Sequence, residues 1–359
     1  INCGYVTSTK YIGTKETNKE FQKLGEDMKR WAKEENGRVW IPSIITLPVG
    51  MLYPIDKDDK MKWSFAPMVD ISRDARWGRV MEGAGEDPFL GSLIAAARVK
   101  GFQGNDLSSP STLAACAKHF AAYGFVESGR DYNTVDIGLS TLHNVVLPPF
   151  KAAVDAGVRT FMNGFTELNG IPVTADSYLQ REILKKQWGF KGFIVSDWGS
   201  LREMMDHGFA KDRKHAGELA FNGGSDMDME SSLYVSKLVG LVQSGKVNDE
   251  LLDDAVRRIL RVKYELGLFD DPYKYCDQDR SDTELGSDEN MGVALEAAKK
   301  SIVLLKNESE LLPLKKRNQT VAIIGQLAND KNRKKRKTKK NGPTSPPTEH
   351  PQKHESLSP

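Results

Sequence analysis

The segment Gly192-Phe-Ile-Val-Ser-Asp-Trp198 is a short apolar run that ends in an acidic residue and follows a stretch of helical periodicity. The same alternation continues in both directions along the chain. The short runs are 63–70, 113–120, 159–165, 192–198 and 225–229, and the helical stretches are 144–156, 177–188, 213–222 and 248–267. Because strands that alternate with helices form a parallel sheet, the sequence predicts an α/β fold of the TIM-type (β/α) barrel.

Polar side chains stand at the end of each short run. They are Asp70, Lys118 with His119, Asn163 to Phe165, Asp197 with Trp198, and Asp226 with Asp228. In an α/β barrel the functional groups lie at the carboxyl ends of the strands. Taken singly, each residue is equally well explained as the cap of a helix or turn. Five sets together favour a shared pocket at the mouth of the barrel.

Composition is ordinary for a soluble globular protein, with 39% hydrophobic and 28% charged residues. No apolar stretch reaches the roughly 18 residues of a membrane-spanning helix, so no membrane partner is expected. The first residues, Ile1-Asn-Cys-Gly4, do not form a signal peptide, although the missing initiator Met leaves room for a lost export signal. Cys3, Cys116 and Cys276 are too few and too scattered for a disulfide framework or a metal site. We expect no metal and no cofactor.

Four parts are expected along the chain: a barrel (1–270), a linker and helix (271–300), the start of a second α/β domain (301–330) and a basic disordered tail (331–359). The tail carries nine Lys/Arg and two Glu in a chain of net charge +2, so the rest of the chain is mildly acidic. A Lys/Arg run marks nuclear targeting or nucleic-acid contact, or it is a disordered or artefactual end. The abrupt break just after the apolar run 321–325 favours the second interpretation, so no nucleic-acid partner is expected.

Longer motifs follow one another in a fixed order. They are Ala66-Pro-Met-Val-Asp-Ile-Ser-Arg-Asp-Ala-Arg-Trp-Gly-Arg79 with Glu82 and Gly85-Glu-Asp-Pro88, Lys118-His-Phe-Ala-Ala-Tyr-Gly124, Asp131-Tyr-Asn-Thr134, Phe165-Thr-Glu-Leu-Asn-Gly170 and Gly189-Phe-Lys-Gly-Phe-Ile-Val-Ser-Asp-Trp198. In order and spacing they resemble the barrel domain of family 3 glycoside hydrolases, in the periplasmic β-glucosidase-like branch. The resemblance runs from about Lys60 to Asp330, and the chain enters the second domain of that family near Val321.

The resemblance implies a role for each matching residue. Asp197 takes the place of the nucleophile, and a carboxylate at a strand end can attack an anomeric carbon. The residues in the places that bind hydroxyls of the sugar are Arg79, Lys118, His119 and Asp131. Trp198 offers a face for stacking on the sugar ring. Phe165 stands where many members of the family have Tyr. If Lys118 and Arg79 lie close by, they are expected to keep the pKa of Asp197 low. Without the resemblance, Asp197 is explained as a helix cap.

Other acidic and basic residues of these motifs have a structural explanation. Asp74, Arg76 and Glu82 are expected to form one ion-pair network that holds their loop. Asp226 and Asp228 are expected to support the last strand end.

The sequence departs from the family in two places. The early segment 40–56 lacks the Asp and the following His-Gly of the family, and it is short, which leaves open whether the barrel is complete. The general acid is also not identifiable. Two-domain members carry it in the second domain, and single-domain hexosaminidases use a His in a loop where this chain has no His. Glu127 is the one carboxylate of that loop.

The resemblance therefore implies a retaining, exo-acting glycosidase that releases terminal β-linked glucose or a related sugar through a covalent glycosyl-Asp intermediate. Its partner is a β-linked gluco-oligosaccharide or an aryl glycoside, and the family resemblance implies a periplasmic or secreted location. One alternative is a catalytically impaired, sugar-binding remnant of the barrel. A second is a β-N-acetylhexosaminidase. The sequence leaves the oligomeric state open.

Overall fold

A computed structural model describes residues 62–284, 286–315, 320 and 322. The chain divides into two compact units, Ile1–Met291 and Gly292–Pro359. The short early segment 40–56, the basic tail 331–359 and all but Ala322 of the apolar run 321–325 lie outside the described residues. So does the segment Thr17 to Asn36, for which the spacing of Phe21, Leu24, Met28 and Trp31 predicts an amphipathic helix.

The helices alternate with the strands in the order that the sequence predicts. The main helices are α1 (Pro88–Gln103), α2 (Pro148–Asp155), α3 (Tyr178–Gln187, with π-type hydrogen bonds), α4 (Ser200–Glu203), α5 (Arg213–Gly223), α6 (Leu233–Gln243), α7 (Asp249–Glu265), α8 (Gln278–Glu284) and α9 (Asp288–Lys300). Shorter turns occupy Val80–Glu82, Tyr123–Phe125, Glu127–Gly129, Leu139–Thr141, Leu142–Val146, Val173–Ala175 and Glu308–Glu310.

The strands are β1 (Cys116–Phe120), β2 (Thr160–Asn163), β3 (Glu167–Leu168), β4 (Ile171–Pro172) and β5 (Phe193–Val195). Three of them form a parallel sheet in the order β1–β2–β5, and β3 and β4 form an antiparallel hairpin. Isolated parallel bridges extend the sheet on both sides. On the β1 side Trp63 pairs with Ala114 and Met68 pairs with Lys118, and on the β5 side Met227 pairs with Val195. Five consecutive parallel segments therefore lie side by side. A closed barrel needs further strands and remains a prediction.

The predicted strand 63–70 is hydrogen-bonded to β1 along its length, although only two of its residues form bridges. The Val69 amide donates to the Lys118 carbonyl at 2.8 Å, and the Cys116 amide donates to the Ala66 carbonyl at 2.8 Å. Pro67 has no N–H to contribute to this ladder, which explains why the strand is interrupted in its middle. The segment nevertheless brings Asp70 beside the end of β1.

Both faces of the sheet are buried, as expected for a parallel sheet covered by helices. Phe120 of β1 packs edge-on against Phe150 of α2 and Phe161 of β2, with ring centroids 5.3 and 5.4 Å apart. All three rings are fully buried, and each contributes about 1.5–3 kcal/mol through burial. Gly192 is needed where β5 begins, because a Cβ there would collide with the carbonyl oxygen of Arg159.

The predicted helix 248–267 is α7. Asn248 caps it by accepting from the Glu250 amide at 2.9 Å. Gly267, with φ of +71°, follows its end. Ion pairs one turn apart, Arg257 with Asp253 and Arg258 with Asp254, support the helix.

In the second unit, the described apolar residues are exposed. Ile302, Val303, Leu304 and Leu305 are 78, 72, 60 and 92% exposed, and they form no strand within the described residues. The start of a second α/β domain therefore remains a prediction.

Candidate active site

The carboxyl ends of β1, β2 and β5 bring together side chains that are far apart in the sequence. β5 places Asp197 two residues beyond Val195, its last residue. The Ser196 amide donates to the Met227 carbonyl at 2.9 Å, and the Gly199 amide donates to the Met229 carbonyl at 3.0 Å. These bonds fix the loop that carries Asp197, and Gly199, with φ of +72°, lets the chain turn directly into α4.

Three side chains form a buried chain of contacts at this edge of the sheet. The Asp70 carboxylate accepts from the His119 amide at 2.8 Å and from His119 Nδ1 at 3.0 Å. His119 Nε2 lies 3.5 Å from Asp197 Oδ2. The Asp70 and His119 side chains are 1% exposed, and that of Asp197 is 13% exposed. Because Asp70 accepts at Nδ1, that nitrogen carries a proton and Nε2 faces Asp197.

Asp197 is not a helix cap. Its Oδ1 accepts from the adjacent Trp198 amide at 2.7 Å, whereas α4 begins after Gly199 and has no side-chain cap. The explanation of Asp197 as a capping residue is therefore wrong. Its second oxygen is directed at His119 and is the atom that remains available for chemistry.

Burial raises the pKa of Asp197 above its ordinary value of 3.8, and the charges of His119, Lys118 and Arg79 only partly offset this effect. The prediction that neighbouring cations keep this pKa low is thus wrong in its net direction. Both cations do lie close enough to favour the ionised form. The desolvation of a carboxylate that is largely removed from water outweighs them.

Arg79 is held in place by Glu82. The guanidinium donates two hydrogen bonds to this carboxylate, at 2.7 and 2.9 Å, and lies 5.5 Å from the ring centroid of Tyr123. Asp74 and Arg76 form a second, separate pair at 2.7 Å. The single network expected for Asp74, Arg76 and Glu82 is therefore two pairs, because the turn Val80–Glu82 directs Glu82 back towards Arg79.

The Lys118 side chain is partly exposed, and its ammonium group has no hydrogen bond or ion pair with any residue that the structure describes. Its charge nevertheless lowers the pKa of both Glu82 and Asp197. Hydroxyl groups accept hydrogen bonds from an ammonium readily. Lys118 is therefore placed to donate to a polar ligand beside Asp197.

Asp131 is linked to this group of side chains through Trp77 and Tyr123. It accepts from Trp77 Nε1 at 2.9 Å, across 54 residues of sequence. Burial, followed by the nearby Asp131 carboxylate, raises the pKa of Tyr123. Trp77 and Tyr123 are both fully buried, and their rings pack edge-on with centroids 5.2 Å apart.

The aromatic residues differ in their availability. Phe165 is buried, at 8% exposure, under Tyr132, whose ring centroid lies 4.5 Å from its own. Trp198 is 62% exposed and Tyr132 is 50% exposed. The Trp198 ring is therefore accessible, and its stacking on a sugar stays a prediction, whereas Phe165 supports Tyr132 more than it faces solvent.

Several polar residues at strand ends are structural. Asn163 donates to Ser225 Oγ at 2.6 Å, and Asp228 accepts from the Leu233 amide at 2.7 Å, at the start of α6. Asp226 pairs with Lys185 at 2.6 Å and accepts from the Ile194 amide at 2.9 Å. The supporting role predicted for Asp226 and Asp228 is confirmed by these contacts.

Glu127 accepts a hydrogen bond from Thr134 Oγ1 at 2.9 Å and is exposed. Its carboxylate is thereby engaged within its own loop.

Sequence reasoning missed Glu203 of α4 and Tyr132. Burial, then the negative charges of Asp197 and Asp206, raise the pKa of Glu203 to about 7. Glu203 lies six residues beyond Asp197 on a short helix, and this position in the sequence was the available signal. The sequence predicts Asp70 at a strand end of the site but gives no signal for its bond to His119.

Within 62–284 and 286–315 there is no group of three or more His, Cys, Asp or Glu side chains arranged to hold a metal ion. In the same part of the chain no helix is both long enough and apolar enough to cross a lipid bilayer.

Residues 56–262 match the family model of the glycosyl hydrolase family 3 N-terminal domain. The chain is 46% identical over 274 residues to the periplasmic beta-glucosidase of Salmonella typhimurium, covering 76% of this chain and 36% of that protein. It is 34% identical over 275 residues to a putative beta-xylosidase of Formosa agariphila, covering 75% and 36%.

A solved structure gives the same result for the fold. A mutant beta-glucosidase from Listeria innocua in complex with laminaribiose has a TM-score of 0.70 at 42% identity, covering 72% of this chain and 36% of that chain. The chain spans about a third of the length of the curated relatives it matches. The motifs, the parallel sheet and the family match agree, and the chain belongs to glycosyl hydrolase family 3, with its N-terminal domain at residues 56–262.

Proposed function

We propose that this chain is the nucleophile-bearing part of a retaining, exo-acting β-glycosidase, and that Asp197 forms the covalent bond to the sugar. The observation that carries the proposal is the contact of Asp197 Oδ2 with His119 Nε2 at 3.5 Å, at the carboxyl edge of the parallel sheet. A largely buried carboxylate with one oxygen free is the group that such a reaction needs.

In the proposed first step, Asp197 Oδ2 attacks the anomeric carbon, and the leaving-group oxygen departs with the bonding electron pair and takes up a proton from solvent. Water then attacks the same carbon and gives up a proton to solvent, the electron pair of the glycosyl–Asp197 bond returns to the carboxylate, and the sugar leaves with its configuration retained. Arg79, Lys118, His119 and Asp131 hold the hydroxyls of the sugar, and Trp198 stacks on a ring. The cations also favour the ionised form of Asp197 that the first step requires.

We propose that the sugar is a terminal β-linked glucose or a related sugar. The relatives named above are a beta-glucosidase and a putative beta-xylosidase, and the laminaribiose complex of the similar Listeria protein supports a β-linked glucan as substrate. A β-N-acetylhexosaminidase is disfavoured, because the loop after β1 has no His. The name of the Salmonella relative supports a periplasmic location. The TIM-type barrel is part of the same proposal.

The test is mass spectrometry of the intact protein after incubation with a 2-deoxy-2-fluoro-glucosyl fluoride, beside an Asp197→Ala control. Fluoride leaves without protonation, so labelling requires the nucleophile but no general acid. We expect a single sugar adduct that maps to Asp197 and is missing from the control. If the folded protein, checked by circular dichroism, gives no adduct, the second candidate, a catalytically impaired sugar-binding barrel, replaces the proposal.

A further inference from the structure

Tyr123 is a buried aromatic residue to which the proposed reaction assigns no role. It lies three residues beyond the end of β1 and begins the turn Tyr123–Phe125. Its side chain is 0% exposed. The next residue must be Gly124, because a Cβ there would collide with the carbonyl oxygen of Ile71. The close approach of these two backbone segments fixes the position from which the Tyr123 ring projects.

Two of the candidate sugar-binding side chains lie directly against this ring. The His119 ring packs edge-on to it, with centroids 5.0 Å apart and an angle of 85° between the two planes. The Arg79 guanidinium lies 5.5 Å from its centroid, which is within the roughly 6 Å of a cation–π contact. One ring therefore borders both the imidazole that faces Asp197 and a cation expected to bind the sugar.

The same ring reaches further candidates on its other sides. The Trp77 ring packs edge-on to it at 5.2 Å, and Trp77 Nε1 donates to Asp131 at 2.9 Å. The Phe165 ring lies 5.9 Å from it. Four candidate residues are thus joined to Tyr123 by at most one intervening side chain, namely Arg79, His119, Asp131 and Phe165. They belong to separate segments of the chain, and Tyr123 is a contact that they share.

The hydroxyl group of Tyr123 does not account for this arrangement. It is buried and has no hydrogen-bond partner within the described residues. A buried hydroxyl without a partner costs free energy and contributes none. The contacts to His119, Arg79 and Trp77 are made by the aromatic ring, so the ring is the part of Tyr123 that bears on the site.

A ring enclosed in this way limits the movement of its neighbours, because close-packed side chains cannot shift independently. Groups that bind a ligand act well only when they are held to within about 0.5 Å of the productive geometry. We propose that Tyr123 is a positioning residue for the sugar site, whose ring holds His119 and Arg79 directly and Asp131 through Trp77. This inference rests on the proposed function.

The test uses the rate of labelling by the 2-deoxy-2-fluoro-glucosyl fluoride, measured over a range of reagent concentrations. Tyr123→Leu keeps a buried apolar side chain but removes the ring, whereas Tyr123→Phe keeps the ring and removes only the unpartnered hydroxyl. We expect Tyr123→Leu to raise the half-saturating concentration by about 10-fold or more, the worth of one hydrogen bond to a charged group. Tyr123→Phe should stay within about 3-fold of the parent.

The half-saturating concentration separates positioning from a loss of stability. A partly unfolded variant lowers the fraction of protein that can be labelled, but the folded molecules keep the parental concentration dependence. Phe221→Leu is the matched control, because Phe221 of α5 is also fully buried and packs against Tyr234 at 5.1 Å. It should melt below the parent, as Tyr123→Leu does, and keep the half-saturating concentration within about 2-fold.

Three results would overturn the positioning role: a parental half-saturating concentration in Tyr123→Leu, an equal rise in Tyr123→Phe, or an equal rise in Phe221→Leu. If Tyr123→Leu does not fold, Tyr123→Met replaces it, since the flexible Met side chain fills irregular space. If the folded parent is not labelled at any concentration, the proposed function itself is overturned, and the role of Tyr123 falls with it.

Discussion

Asp70 offers the sharpest test of the buried contacts behind Asp197. One of its oxygens accepts both the His119 amide and the His119 ring, at 2.8 and 3.0 Å, and the other has no hydrogen-bond partner within the described residues. An Asp70→Asn side chain can therefore keep both acceptor contacts and place its NH₂ at the unpartnered position. The substitution removes the charge and almost nothing else.

The expected magnitude follows from the difference between a charge-assisted and a neutral hydrogen bond, about 1–2 kcal/mol at a buried site. If His119 must be held against Asp197 and carry positive character when the sugar is transferred, Asp70→Asn slows the labelling of Asp197 by about 5- to 30-fold. The assay is the rate of adduct formation with the 2-fluoro-glucosyl fluoride, followed by intact mass. Asp70→Ala should be slower still, because it leaves both His119 donors unpaired.

A thermal melt of each variant separates orientation from folding. Asp70→Asn should melt within a few degrees of the parent, whereas Asp70→Ala should be clearly less stable. If Asp70→Asn labels at the parental rate, then the charge behind His119 does not act on Asp197, and the reasoning from the buried chain is refuted.

Two further predictions concern stability. Because the pKa of Asp197 is raised in the folded chain, folding favours its protonated form. We expect Asp197→Asn to raise the melting temperature at neutral pH and to lose this advantage as the pH falls from the raised pKa of the folded carboxyl towards the ordinary aspartate value of 3.8. A melt series that shows no pH-dependent gain would contradict this expectation. Lys185→Met leaves Asp226 buried without its cation and should lower the free energy of unfolding by about 3–5 kcal/mol, or the melting temperature by about 6–20 °C. Lys186→Met breaks only an exposed pair with Glu182 and should lower the free energy of unfolding by less than about 1 kcal/mol. Similar melting temperatures for the two variants would count against the buried pair.

Most of the parallel sheet could be predicted from the sequence, because each buried strand is a short apolar run between helical stretches. The positions of Lys118 and His119 at the end of β1 and of Asp197 beyond β5 were predicted correctly for this reason. Strand 63–70 was predicted as continuous, whereas the structure interrupts it at Pro67. Because Pro67 has no amide hydrogen to donate, this interruption could have been predicted from the sequence.

The electrostatics of the site could not be predicted in the same way. The net pKa direction of Asp197 depends on how much of its surface the fold removes from water, and this is set by residues from β1, β5 and the loops between them. The bond between Trp77 and Asp131 joins residues 54 positions apart, and the burial of Glu203 depends on neighbours outside its own helix. Sequence periodicity reports which face of an element is buried, but not the depth of a particular polar atom.

The raised pKa of Asp197 also constrains how the proposed reaction can be arranged. Burial raises this pKa, and the groups that partly offset the rise are the charges of His119, Lys118 and Arg79 and the amide of Trp198. The three charged groups all belong to the predicted sugar-binding set. A bound sugar would displace water from these groups and strengthen their interaction with the carboxylate, since charges interact more strongly in a medium of lower dielectric constant. The same side chains would then serve binding and ionisation together. Arg79 differs from Lys118 in this respect, because Glu82 already neutralises it. Of these two cations, Lys118, whose ammonium group has no partner in the described part of the chain, is therefore the one whose loss should be felt more strongly at Asp197.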